Sequence, residues 1–146
     1  MDAYDKALRL LSIREHTEKE LRKKLLDKGC SKDDVDTVIE KLISEGSLSE
    51  QRFAETYIRS RLRKTPEGKE ILRMRLREKG SPASVASAAL DEAWENEDYL
   101  KPLSLYALSL IRKKGEEGAR ATLLRKGFRD SEIREALSLF DSDISE

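Results

Sequence analysis

Three copies of a short phrase, each closed by glycine, constrain the fold of this 146-residue chain more than any other feature. The copies are KKLLDKG at 23–29, RMRLREKG at 73–80 and TLLRKGF at 122–128. In each, a leucine precedes the glycine by four residues and a lysine precedes it by one. Glycine commonly closes a helix in the left-handed conformation, and a lysine in the last turn complements the negative end of the helix dipole. Each copy is therefore predicted to end an amphipathic helix.

Apolar residues at helical spacing lie on both sides of each glycine, and they predict a helix before it and another after it. The positions before the glycines are Leu21, Leu25, Leu72, Leu76, Ala119 and Leu123. The positions after them are Val35, Ile39, Leu42, Ala86, Leu90, Ala93, Ile133, Leu137 and Phe140. A third apolar pattern precedes each pair, with Tyr4, Ala7, Leu8 and Leu11, then Phe53, Ala54, Tyr57, Ile58 and Leu62, then Leu103, Ala107, Leu108 and Ile111. The chain is thus predicted to form nine helices in three copies of a three-helix unit.

The spacing between the glycines, 51 and then 47 residues, is typical of stacked repeats. A three-helix unit of this size has a small core, so each is expected to bury apolar surface against its neighbour. We predict an all-α fold of three tandem three-helix repeats, 1–48, 49–95 and 96–146, stacked into an elongated, curved array. The composition agrees, because charged residues make up 40% of the chain and aromatic residues 5%.

Helix-start signals fall where the repeats require them. Thr17 and Glu20 predict a capping box, Ser31 predicts a second cap, and Ser81 before Pro82 predicts a third. These signals locate the second helix of the first repeat and the third helices of the first two repeats.

The sequence contains no recognisable catalytic constellation, and we predict no enzymatic activity, no cofactor and no metal site. The only histidine, His16, precedes the predicted cap, where an exposed or cap-supporting imidazole is expected. The only cysteine, Cys30, cannot form an intramolecular disulfide. Trp94 is expected to pack within the fold rather than to bind a partner. No run of about 18 apolar residues predicts a membrane span, and a cytoplasmic location is expected.

Charge is balanced in total but uneven along the chain. The chain has 29 basic and 29 acidic residues, yet residues 52–79 contain ten Lys or Arg against four Glu, whereas residues 81–100 contain five acids and no base. The cations form one stripe on the fourth helix (Arg52, Arg59, Arg63), another on the fifth (Arg73, Arg77), and a loop at Lys64 between them. Two interpretations stay open, a solvated helix face or a ridge that meets an anionic surface.

Three segments together resemble the RecX family, bacterial modulators of the RecA recombinase. They are REHTEKELRKKLLDKG at 14–29, GSLSEQRFAETYIRSRLRKTPEGKEILRMRLREKG at 46–80 and LLRKGFRDSEIREAL at 123–137, in the family's order and spacing. The most specific residues are Leu48, Arg52, Phe53, Ala54, Tyr57, Gly68, Leu76, Lys79 and Gly80. The family often has Asp where this chain has Ser49 and Glu50, two residues that also suit a helix start.

The resemblance implies a protein without enzymatic activity that binds the RecA filament on single-stranded DNA and hinders its growth or ATP hydrolysis. We expect the chain to be a monomer. Contact with DNA is expected to be weak or indirect, since the chain is not basic overall. The predicted contact residues are Arg59, Arg63, Lys64, Arg73, Arg77, Lys113, Lys114, Arg120 and Arg125. Two alternatives remain, a direct DNA-binding helical module and a general helical scaffold for other proteins. The first has few residues for base readout, with a single Asn96 and a single Gln51.

Overall fold

A computed structural model describes the backbone of residues 1–96 and 98–144, and the side chains up to residue 138 except that of residue 97. Within this part the chain is helical, without strands. Its helices are α1 (Ala3–Ile13), α2 (Glu18–Asp27), α3 (Lys32–Ser44), α4 (Glu50–Lys64), α5 (Lys69–Lys79), α6 (Ala83–Glu95), α7 (Leu100–Arg125) and α8 (Asp130–Ile144). The predicted all-α class is confirmed, and the predicted core residue Phe140 lies outside the described side chains.

The three repeated glycines end helices as the sequence predicts. Their φ angles are 92°, 98° and 88° at Gly29, Gly80 and Gly127. In each case the residue after the glycine donates its backbone N–H to the carbonyl of the leucine four residues before the glycine, at 3.0 to 3.2 Å. This is the Schellman closure, which satisfies carbonyls that the helix end leaves free.

Most predicted helix starts are confirmed. Thr17 and Glu20 form a capping box at α2, and the Ser31 hydroxyl accepts from the backbone N–H of Asp34 at α3. The cap predicted at Ser81 is wrong, because its buried hydroxyl makes no hydrogen bond. The Ser81 backbone N–H completes the closure of α5, and the first carbonyl of α6 to accept a helical hydrogen bond is that of Pro82.

The positions where this chain departs from the family pattern both act at helix starts, as predicted. The Ser49 hydroxyl accepts from the backbone N–H of Arg52 in the first turn of α4, at 3.1 Å. Glu50 Oε1 accepts from the backbone N–H of Glu18, the first residue of α2, at 2.6 Å. Burial raises the pKa of Glu50, and the hydrogen bond from Glu18 partly offsets that rise.

The described residues form eight helices where nine are predicted. The difference lies in α7, which runs through the predicted boundary between the first two helices of the third repeat. Gly115 interrupts it with a non-helical backbone (φ 80°, ψ 174°), so α7 consists of two helical segments, 100–114 and 116–125, joined at a kink. The chain turns at this glycine without a loop.

Two compact units divide the chain. Unit 1 comprises Met1–Thr56 with Arg75–Ser87, and unit 2 comprises Tyr57–Met74 with Ala88–Glu146. The unit boundaries fall inside α4, α5 and α6, so these helices contribute to both. The repeat boundaries at 48/49 and 95/96 stay predictions.

Unit 1 has a core built from α1, α2 and α3. Its buried side chains include the predicted Leu21, Leu25, Val35, Ile39 and Leu42. Val38 and Leu48 are also buried, although the helical pattern did not name them. Leu8 is an error of the helical pattern, since 36% of its surface is exposed, whereas Ala7 beside it is buried. His16, by contrast, is buried. It is 1% exposed and its Nδ1 lies 3.0 Å from the Arg14 carbonyl oxygen, directly before the cap.

Unit 2 is built around buried leucines of α5, α6 and α7, joined by Ile133 of α8. Trp94 packs at the end of α6, as predicted. Its ring stacks on Tyr99 at a centroid distance of 4.7 Å, and its Nε1 donates to Glu132 Oε2 at 2.7 Å. No helix in the described part of the chain is long and apolar enough to cross a membrane.

Candidate partner-binding surface

The nine cations predicted as contact residues are all at least partly exposed. Eight of them belong to unit 2, and the ninth, Arg77, belongs to unit 1. They are not equally available to a ligand, because some already make ion pairs or hydrogen bonds with other side chains. Their present partners therefore separate the cations that are free to meet a ligand from those that are engaged.

Two of the nine form ion pairs within unit 2. Arg73 Nη1 lies 2.5 Å from Glu70 Oε1, one turn earlier on α5. Arg120 Nη1 lies 2.9 Å from Asp130 Oδ1, at the start of α8. Both pairs are solvent-exposed, and such pairs typically contribute only about 0.2–1 kcal/mol. A partner would have to compete with them, but the cost of exchange is small.

Two more cations of the last repeat converge on one hydroxyl. Lys114 Nζ and Arg125 Nη2 each lie 3.2 Å from Thr122 Oγ1, which in turn donates to the Gly118 carbonyl oxygen at 2.9 Å. Lys114 lies on the other side of the bend at Gly115 from Thr122, whereas Arg125 follows Thr122 by one turn in the same helical segment. These hydrogen bonds orient the two cations without neutralising their charge.

The other five predicted cations make no ion pair with any residue that the structure describes. They are Arg59, Arg63, Lys64, Arg77 and Lys113, and each is exposed. An uncompensated exposed cation attracts anionic groups without first losing an internal partner. These five are the strongest candidates for contact with an anionic partner.

Arg52 does not belong with them, although the sequence groups it with Arg59 and Arg63 in one stripe. Its Nε lies 2.5 Å from Glu15 Oε1. Its Nη1 and Nη2 donate to the carbonyl oxygens of Gly46 and Ser47, each at 3.0 Å. The whole guanidinium is therefore used to hold the α3–α4 turn of unit 1.

The turn between α4 and α5 is firmly anchored within unit 2, and it fixes the end of α4 that carries Arg63 and Lys64. The Glu67 carboxylate is 4% exposed and accepts from Arg61 Nη2 at 2.6 Å. The Gly68 backbone N–H donates to the Lys126 carbonyl oxygen at 2.8 Å. A Cβ at position 68 would lie 1.9 Å from the Gly127 oxygen, so only glycine permits this approach.

A cleft of about 410 Å³ lies beside this turn, and it brings two of the predicted cations together. It is lined by Arg63, Lys64, Pro66, Lys101, Pro102, Leu105 and Tyr106. Lys101 and the two residues of α7 that follow Pro102 in this lining were not predicted. A signal was present in the sequence, because Lys101 stands in the first turn of a helix, where the dipole disfavours a cation.

Part of the basic excess is compensated by the acidic segment 81–100. Lys69 Nζ lies 2.6 Å from Asp91 Oδ1, within unit 2. The hydrogen bond and the positive charge of Lys69 lower the pKa of Asp91. This pair joins the start of α5 to α6, and it removes Lys69 from the exposed cations without affecting the five unpaired ones.

The fold and this surface define a helical protein built from tandem three-helix domains, and the chain belongs to the RecX family. Residues 3–42 match the family domain described as "RecX, first three-helix domain", and residues 49–90 match "RecX, second three-helix domain". The chain is 34% identical to "Regulatory protein RecX" of Pelodictyon phaeoclathratiforme, over 91% of this chain and 85% of that protein. It is 33% identical to the protein of the same name from Prosthecochloris aestuarii, over 92% and 91% of the two chains.

Solved structures agree with this fold. The structure described as "Crystal structure of RecX from Lactobacillus salivarius" superposes with a TM-score of 0.77 at 24% identity, covering 95% of this chain and 94% of that one. A second, "Crystal structure of regulatory protein RecX", gives a TM-score of 0.76 at 26% identity, over 93% and 71% of the two chains. The resemblance noted from the sequence is thereby confirmed at the level of family and fold.

Proposed function

We propose that this chain regulates the RecA recombinase by binding the filament that RecA forms on single-stranded DNA, and that it mostly inhibits filament growth and ATP hydrolysis. It acts in the cytoplasm as a monomer and catalyses no reaction itself. Membership of the RecX family carries this proposal, since its relatives are named regulatory proteins. Contact with DNA is weak or indirect, because the chain has no net charge.

The unpaired cations support the proposal physically. Arg59, Arg63, Lys64, Arg77 and Lys113 are exposed and free of ion pairs with described residues, so acidic side chains of RecA or filament phosphates are suitable ligands. A single exposed pair contributes about 0.2–1 kcal/mol, and several are needed for useful affinity. The four engaged cations of the predicted set contribute less, because a partner must first displace an acid or a hydroxyl.

The direct test adds purified protein to preformed RecA filaments on single-stranded DNA and follows ATP hydrolysis and filament length together. The informative variant is Arg59→Glu with Arg77→Glu, which reverses two unpaired cations. We expect it to require about tenfold more protein for equal inhibition, because two repulsive contacts replace two attractive ones. Lys23→Glu is the matched control and should inhibit like the parent chain, because Lys23 on α2 is exposed and makes no ion pair with a described residue.

Circular dichroism of both variants checks that helix content is retained. Equal inhibition by the double variant and the parent would remove these cations from the mechanism. Absence of any inhibition by the parent chain would refute the proposed function itself.

Titration of bare single-stranded DNA at two salt concentrations separates this proposal from the direct DNA-binding alternative. Weak binding without RecA is expected. Tight binding with a steep salt dependence would instead favour a protein that binds DNA phosphates directly, without RecA.

A further inference from the structure

The cleft beside the α4–α5 turn combines uncompensated positive charge with exposed apolar surface. Arg63, Lys64 and Lys101 line it, and none of them makes an ion pair with a residue the structure describes. The carboxylate nearest to this turn in sequence, that of Glu67, is buried and already engaged by Arg61. Among the residues that the structure describes, no acid therefore forms an ion pair with the cations at the rim of the cleft.

Lys101 is placed against the local electrostatics of its helix. It lies in the first turn of α7, where no acidic residue is present and where the positive end of the helix dipole opposes a cation. Arg63 and Lys64 have a local reason to be basic, since they stand in the last turn of α4. Lys101 lacks this helix-end reason, and a residue that breaks a local rule is expected at functional positions.

The apolar part of the cleft is partly open to solvent. Leu105, one turn after Lys101, is 61% exposed, and Tyr106 next to it is half-buried. Pro66 and Pro102 complete the lining and lack a backbone N–H, so these walls offer little beyond apolar contact. The volume of about 410 Å³ falls within the range of about 300–1,000 Å³ typical of ligand clefts.

We propose that this cleft binds an acidic peptide segment of a partner protein, with one large apolar side chain against Leu105 and Tyr106 and flanking carboxylates on Arg63, Lys64 and Lys101. The inference rests on the proposed function and deepens it, because it names the kind of RecA surface that the chain would recognise. In the peptide an apolar side chain stands beside acids, and in the cleft an apolar wall stands beside cations, so the two are complementary.

The same geometry argues against a nucleobase as the occupant. Stacking of bases needs open aromatic faces. The cleft offers a single aromatic residue, Tyr106, and Lys126 Nζ lies over its ring at 5.8 Å from the centroid. The other apolar lining residues, Pro66, Pro102 and Leu105, are aliphatic, which suits a leucine or isoleucine side chain better than a planar base.

The test measures fluorescence anisotropy of labelled probes with the full chain. The first probe is a short peptide with one leucine between two pairs of Asp or Glu, the second replaces that leucine by glycine, and the third is oligothymidylate. We expect the leucine peptide to bind more tightly than the glycine peptide by about tenfold, as burial of one large side chain contributes about 1.5–3 kcal/mol at most. Oligothymidylate should bind more weakly than either peptide.

Two variants locate the binding. Lys101→Glu should weaken binding of the leucine peptide by about fivefold. Leu105→Ser should reduce the difference in affinity between the leucine and glycine peptides. Both side chains are exposed, so the fold should survive, which circular dichroism checks. Lys23→Glu is the control for charge alone.

Equal binding of the two peptides, tighter binding of oligothymidylate, or no effect of either variant would overturn the proposal. Its failure is distinguishable from failure of the proposed function. If the chain inhibits RecA but binds neither peptide, only the proposal for the cleft is refuted. If it binds the leucine peptide specifically but never inhibits RecA, only the proposed function is refuted.

Discussion

Replacement of Gly68 by alanine should destabilise unit 2 strongly, because the backbone of the α4–α5 turn touches the turn after α7. The added Cβ would lie 1.9 Å from the Gly127 oxygen, and the separation needs to open to at least 3.0 Å. That movement disrupts the hydrogen bond from the Gly68 N–H to the Lys126 carbonyl, which contributes about 1 kcal/mol. Overpacking adds about 1–3 kcal/mol, so the expected loss is about 2–4 kcal/mol.

Urea unfolding followed by circular dichroism measures this loss. Gly29→Ala is the matched control. Its Cβ meets nothing within 4 Å but its φ is +92°, so the substitution costs only the left-handed penalty of about 1–2 kcal/mol. A Gly68→Ala loss below about 1 kcal/mol would refute the argument, since it would mean that the two turns separate freely. The same variant should also weaken ligand binding at the neighbouring cleft, because residues of this turn form part of its wall.

Three further predictions concern the cap of α2, the buried histidine and the tryptophan. Thr17→Ala should cost about 2–3 kcal/mol in urea unfolding, because its hydroxyl caps α2 and also donates to the carbonyl at the end of α5, whereas Ser31→Ala removes one cap bond and should cost about 1 kcal/mol. Burial, with nearby cations, lowers the pKa of His16 below its usual 6.5, and its Nε2 lies 2.9 Å from Lys24 Nζ, so the neutral ring is favoured in the folded state. The stabilisation by neutral His16 is therefore complete above pH 6.5, and it is lost as the pH falls from 6.5 through the lowered pKa of the folded state. His16→Gln should make the free energy of unfolding less dependent on pH over that range. Trp94→Phe should cost about 1–3 kcal/mol in thermal unfolding by leaving a buried carboxylate oxygen without its donor, and an unchanged midpoint would contradict that reading.

Local patterns in the sequence predicted the helices and their ends well, because a helix end depends mainly on neighbouring residues. The glycine closures follow from a left-handed residue and the carbonyls within one turn of it. Ser81 was mispredicted for a local reason as well, since the same residue was needed to close the preceding helix. Leu8 failed because periodicity gives the direction of a face and not how far the neighbouring helix covers it.

The candidate surface was only partly predictable, because the partner chosen by each cation depends on tertiary contacts. The stripe on α4 has helical spacing from Arg52 to Arg63. Arg52 nevertheless donates to carbonyls of the preceding turn, whereas Arg63 makes no ion pair with a described residue. The approach of Gly68 to Gly127 joins residues 59 positions apart, and nothing in either segment specifies it. Lys101 was missed although its place in a first helical turn was a signal, because a lone lysine belongs to no charge cluster until the fold brings it beside Arg63 and Lys64.

Overall neutrality does not prevent this chain from exposing cations without an acidic partner among the described residues, because acids and bases cancel only where they meet. The compensated cations of unit 2 are matched by close partners, as with Lys69 and Asp91 or Arg120 and Asp130. At physiological salt a charge is screened beyond about 8 Å, so an acid farther away hardly reduces the potential at Arg59 or Lys113. The relevant quantity for binding is thus the set of unpaired cations and not the net charge. Added salt should weaken filament binding even though the protein is neutral, and inhibition insensitive to salt would place the binding energy in apolar contacts instead.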